Sequence, residues 1–148
     1  MKYTYINGYH AVTQEVLPLF TRYHACHAQH AYFKDEVGNR CYLFVSYSTP
    51  MAVVLKPHNG PSYYIFNDNP FGYSATTSRQ VSRWLREVIH LDPYIVRDAY
   101  EHSKPMDHGG TYYSESLIGP MYLFMDDDEF RSHFFTRCDA MRECHADV

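Results

Sequence analysis

Long apolar runs, a cysteine pattern and a catalytic signature are all missing from this chain of 148 residues. No stretch approaches the roughly 20 consecutive apolar residues that cross a bilayer, so a helical span and a membrane partner are not expected. The four cysteines, Cys26, Cys41, Cys138 and Cys144, are irregularly spaced and form no Cys-x-x-Cys pair. They read as reduced thiols, some of them buried, and not as a disulfide framework. The opening MKYTYINGYH holds no apolar signal core and no small-residue cleavage site, so a cytoplasm is the expected location. An excess of base is missing too: 13 Lys and Arg against 17 Asp and Glu give a net charge of −4, which argues against a surface that binds polyanions everywhere.

The signatures of turnover are equally scarce. There is no Gly-x-Ser-x-Gly elbow and no Ser-x-x-Lys pair, and Cys41 opens an apolar stretch where a thiol is inert. The seven glycines are scattered, and Gly109-Gly110 lacks the Lys-Ser/Thr that a phosphate-cradling loop requires. The acids Asp68, Asp92, Asp98, Asp107 and Glu115 have a spacing that favours no pair. These absences predict no catalytic residue and no cofactor.

What the chain has in plenty is aromatic side chains, 15 Tyr and 9 Phe beside one Trp. Tyrosine suits both strands and interfaces, because its ring buries area while its hydroxyl stays wet. With 45% hydrophobic and 20% charged residues the composition is that of a folded domain, and nothing resembling a linker or a repeat divides it. One domain over residues 1–148 is therefore expected.

Tyr3 to Ile6 reads as a short strand closed by Asn7-Gly8. Thr13 to His30 reads as a helix, with Thr13 as N-cap and Val16, Leu17, Phe20 and Tyr23 or His24 at helical spacing, although Pro18 interrupts it. Cys41–Tyr47, Met51–Leu55 and Ser62–Phe66 are apolar runs separated by turn residues, which predicts three consecutive antiparallel strands covered on both faces. Ser74, Thr76 and Thr77 offer N-caps to a helix reaching about His90, with Val81, Trp84, Leu85 and Val88 as its core stripe. A short helix over Tyr94–Glu101, a loop over Lys104–Gly110 and strands at Thr111–Ser114 and Pro120–Met125 follow. Asp126 to Glu129 open a last helix, whose positive N-terminal end the four acids complement. The fold class these elements predict is α+β: a central antiparallel sheet of about four to six strands, with helices mainly on one face.

Two clusters invite a functional reading. His24, Cys26, His27 and His30 have metal-ligand chemistry, but zinc needs three or four converging ligands. The second half of such a set has no address, since Cys138, Cys144 and His145 are spaced too widely. The cluster reads as a polar helix face, and no metal is expected. Arg79, Arg83 and Arg86 differ in kind. At about 100° per residue they fall within about 60° of one another, opposite the core stripe, on a helix whose start is rich in hydroxyls. Guanidinium forks suit phosphates and carboxylates, so an acidic protein surface, a nucleotide or a nucleic acid fits them, and a plain solvated helix face is the alternative.

The segments Ser46-Tyr47-Ser48-Thr49-Pro50-Met51-Ala52 and Tyr73-Ser74-Ala75-Thr76-Thr77-Ser78-Arg79 resemble an uncharacterised family of small proteins from bacteriophages and related mobile elements. Its members carry an S-Y-x-T-P-x-A turn followed by Y-S-x-T-T-S-R/K at the start of a helix. The family often has a histidine where this chain has Gln80, so no role for such a histidine transfers. The resemblance implies a phage-type accessory protein in the host cytoplasm. It acts by binding and modulating or inhibiting a host protein or protein complex, such as a defence complex, without catalysis. Tyr73, Thr76, Thr77, Arg79, Arg83 and Arg86 are the expected partner-binding residues. The alternative is a nucleic-acid or nucleotide-binding module that uses the same arginine face with tyrosine rings for stacking. A third is a metal-dependent hydrolase built on His24, His27 and His30.

Overall fold

The computed structural model describes residues 13–18, 28–34, 38–47, 49–106, 110–115 and 119–134. They form an α+β architecture around one eight-stranded sheet: β1 (Thr13–Pro18), β2 (Ala28–Lys34), β3 (Arg40–Ser46), β4 (Thr49–Lys56), β5 (Tyr63–Asn67), β6 (Lys104–Pro105), β7 (Thr111–Glu115) and β8 (Met121–Met125). The spatial order is β1-β2-β3-β4-β5-β8-β7-β6. The first five strands meander antiparallel, β8 joins β5 in parallel, and β7 and β6 continue antiparallel beyond it. The sheet is thus wider than the four to six antiparallel strands expected from the sequence elements, and one pair within it is parallel.

The helix expected from Thr13 to His30 is not formed where the structure describes that stretch. Thr13–Pro18 and Ala28–Lys34 are strands, paired from Thr13 with Lys34 to Pro18 with Gln29. The apolar spacing there suited either period. The pairing of β2 to β3 over its whole length decides it, together with Pro18, which breaks a helix but is tolerated on an outermost strand. His30 therefore lies on a strand, opposite Leu17 and Phe44, and not on the helix face expected of it. Tyr3–Ile6, His24, Cys26, His27, Cys138, Cys144 and His145 lie outside the described residues.

Strands β3 to β5 follow their apolar runs, and both faces are buried as their continuous apolar character requires. Phe44, Ala52, Val54 and Phe66 face the helices, while Cys41, Leu43, Val53 and Ile65 face the other way, all of them buried. Burial in an apolar setting pushes the Cys41 thiol up to about 12 from an ordinary 9. A raised pKa leaves stability whole below pH 9 and removes it as pH climbs toward 12, on the order of 4 kcal/mol across that interval. Iodoacetamide at pH 8.5, read by peptide mapping, is expected to leave Cys41 unlabelled in the native protein and to label it after unfolding. Labelling of the native protein within minutes would contradict this burial.

The helical layer is α1 (Ala75–Trp84), a π-helical turn (Leu85–Ile89) and α2 (Pro93–Glu101), followed after β8 by α3 (Asp127–Phe134). Ser74 caps α1 by accepting from the Thr77 amide at 3.1 Å. Asp92 caps α2 the same way, with Pro93 in the first turn where its missing N–H is harmless. The π-turn moves the core stripe by one residue: Val81, Trp84 and Leu85 are buried as their spacing predicts, but the next inward position is Ile89, and Val88 is only partly covered. His90, at φ 61°, then ends the helix. Trp84 stacks on Phe44 with ring centroids 5.1 Å apart and fixes α1 over β3.

Candidate functional site

The segments 46–52 and 73–79 meet through Ser46. Ser46, the last residue of β3, is buried and donates from Oγ to Gln80 Oε1 at 2.7 Å; the same oxygen lies 3.1 Å from Thr77 Oγ1. Ser74 Oγ donates to Thr77 Oγ1 at 3.2 Å, and Ser78 Oγ donates to the Phe71 carbonyl at 3.0 Å. The hydroxyl-rich start of α1 is therefore a lock that sets the helix on the end of β3. A shift in the β3–β4 register between Phe44 and Val45, with Tyr47 at φ 57°, shapes the turn beside it.

A second connection lies one strand over. Asn67, fully buried at the end of β5, donates from Nδ2 to the Pro50 carbonyl at 2.8 Å and to Asp127 Oδ1 at 2.7 Å. Tyr73 donates its hydroxyl to the Asn67 carbonyl at 3.2 Å. Burial, and next the charges of Asp68 and Asp127, push the Tyr73 phenol up to about 12, so it stays a neutral donor at physiological pH. Tyr73 as a whole remains 41% exposed.

Of the residues expected to bind a partner, Arg79, Arg83 and Arg86 are exposed on one side of the helical segment and Thr76 is half-buried. Arg83 pairs with Glu87 at 3.0 Å, an i,i+4 bridge with both side chains about half in solvent. Such a pair contributes at most about 1 kcal/mol and is easily exchanged. Arg79 and Arg86 make no ion pair among the described residues. Thr77 is buried, with its hydroxyl held by Ser46 and Ser74, so it positions this surface and does not form part of it.

The spacing of the acids concealed a further site. In the parallel pair Tyr64 faces Tyr122, Phe66 faces Phe124 and Asn67 faces Met125, so Asp68 and Asp126 leave the sheet side by side. The Asp68 amide donates to the Met125 carbonyl and extends the ladder to that point. The rings stack across the pair at 5.2 and 5.5 Å. Beside the two acids opens a cavity of about 480 Å³, lined among the described residues by Asp68, Tyr100, Glu101, Ser103, Gly110, Tyr112, Phe124 and Asp126. The segments Tyr64-Ile65-Phe66-Asn67-Asp68 and Tyr122-Leu123-Phe124-Met125-Asp126 share the pattern Tyr-Ile/Leu-Phe-x-Asp. That shared pattern was the sequence signal for this site. A cleft outside the carboxyl ends of parallel strands is a common place for ligands.

No protein-family model, curated protein or solved structure matches this chain. Among the described residues, no helix is long and apolar enough to cross a membrane, and no group of three or more His, Cys, Asp and Glu side chains is placed to hold a metal.

Proposed function

We propose that this chain is a phage-type accessory protein that binds a host protein or protein complex, such as a defence complex, and modulates it without catalysis. Its contact surface is the outer side of α1 and the π-turn, with Arg79, Arg83 and Arg86 at its centre and Tyr73 and Thr76 beside them. One observation carries the reading. The two resembling segments close on each other through Ser46, Thr77 and Gln80, and outside that lock a cationic stripe stands exposed. A fixed helix carrying guanidinium forks, two of them in no ion pair among the described residues, suits carboxylates on a partner surface, and the partly exposed Tyr73 adds apolar contact.

Affinity capture of the tagged protein from bacterial lysate, run with and without nuclease, tests the proposal. The expected result is a stoichiometric host protein that survives nuclease and falls at least tenfold in the Arg79→Glu/Arg86→Glu variant. Recovery of nucleic acid alone, lost on nuclease treatment and steeply weakened by salt, favours the nucleic-acid-binding alternative on the same arginines. Equal recovery of the protein partner by the variant removes this surface from the contact.

A further inference from the structure

We propose that the cleft at the ends of β5 and β8 binds an organic cation, an alkylammonium or guanidinium group, among the carboxylates of Asp68, Glu101 and Asp126 and against the rings of Tyr100 and Tyr112, with the buried Phe124 as its floor. Charge and shape point the same way. Three carboxylates line the cleft, and none of its described lining residues is basic. Tyr100 and Glu101 come from the last turn of α2, where the helix dipole presents its negative end. Its volume of about 480 Å³ lies in the range of small-ligand sites and far exceeds what one bare ion fills.

The aromatic share separates an organic cation from a metal ion. Hard cations demand a shell of six or more oxygens at fixed distances, and no set of three carboxylate, histidine or cysteine ligands converges among the described residues. An ammonium or guanidinium instead gains from ring faces within about 6 Å. The ring of Phe124 meets Tyr100 edge-on at 5.1 Å and stacks on Phe66 from the other side, so this part of the cleft is braced before any ligand arrives. Tyr112 is 46% exposed and stands open to a ligand at the other side.

Asp126 shows how the carboxylates are held. Its Oδ1 accepts from the Glu129 amide at 2.8 Å and caps α3, which anchors the side chain and leaves Oδ2 without a hydrogen bond among the described residues. Oδ2 lies over Gly110, where a Cβ would come within 2.1 Å of it. A residue larger than glycine at 110 displaces the carboxylate from the rim. The cleft and the arginine surface share no residue, so each is tested by its own variants.

The test uses the full chain, with putrescine and an acetylated, amidated hexapeptide containing one arginine as probes. Binding is followed by calorimetry in low-salt buffer against KCl of matched ionic strength and against MgCl2. Both probes are expected to bind saturably at one site, above the effect of KCl and without displacement by equimolar Mg²⁺. Asp68→Asn and Tyr112→Leu are each expected to weaken binding at least fivefold while melting within about two degrees of the parent. Asp126→Asn keeps an N-cap and is expected to weaken it similarly. Tighter binding of the peptide marks a basic side chain of a partner as the source, and tighter binding of putrescine marks a free amine. Responses no larger than that of KCl, or variants that bind like the parent, overturn the proposal. So does displacement by Mg²⁺, which would reveal general screening or a metal site.

Discussion

Trp84→Ala is expected to lower the unfolding free energy by about 3–5 kcal/mol, a large part of the stability of a domain this size. Trp84 is fully buried, stacks on Phe44 and sits between the α1 stripe and the sheet, so its removal leaves a cavity that no neighbour can fill without moving the helix. Its indole N–H has no hydrogen-bond partner among the described residues, which is a cost the native fold already carries. Trp84→Phe removes that unsatisfied donor together with part of the ring, and is expected to cost only about 1 kcal/mol as the two effects offset. Far-UV circular dichroism during urea unfolding reads both variants. A parent-like midpoint for Trp84→Ala would mean that the helix is not seated on β3 as described.

Asn67→Asp is expected to be comparably damaging although it changes only a nitrogen into an oxygen. The amide donates both to the Pro50 carbonyl and to Asp127, and so joins β4, β5 and α3. A carboxylate there donates to neither and faces Asp127, with Asp68 next along the chain. At pH 7 the loss is expected to be about 3–5 kcal/mol, as for an uncompensated buried charge. The introduced acid has its folded pKa raised by burial and by its acidic neighbours. Its stability is therefore whole below the unfolded value near 4 and lost as pH rises. The gap between variant and parent is thus expected to close largely near pH 4, where the neutral acid donates one of the two lost bonds. A gap that stays constant from pH 4 to pH 7 would show that Asn67 acts through shape alone.

How far the sequence disclosed this fold depends on the kind of signal each element carries. Strands β3 to β5 announce themselves through apolar runs bounded by Asn, Gly and Pro, and α1 through Ser74 and the inward positions of Val81, Trp84 and Leu85. Local chemistry alone determines these. The exchange of Val88 for Ile89 was hidden because a π-turn breaks the 3.6-residue period on which helical wheels depend. Thr13–Pro18 is ambiguous in the sequence because its apolar residues suit both periods, and its strand exists by virtue of its partner.

The candidate surfaces divide in the same way. The arginine stripe follows from spacing on a helix and is exposed as expected, whereas the inward commitment of Thr77 depends on Ser46, far away in the chain. Asp68 and Asp126 are joined only by the parallel crossover, and no spacing rule relates them. Asp126 had a sufficient local explanation as a helix-capping acid, and it does cap α3. That local explanation concealed its second oxygen.

The stacked parallel pair inside the sheet is also a matter of symmetry. Antiparallel neighbours are related by a two-fold rotation, so matching sequences in them run past each other and like residues seldom meet. Parallel neighbours in register are related by a simple translation, and each residue of one copy falls beside its own counterpart in the other. A repeated five-residue word is thereby turned into a ladder: tyrosine on tyrosine, phenylalanine on phenylalanine, and at the open end one aspartate next to another.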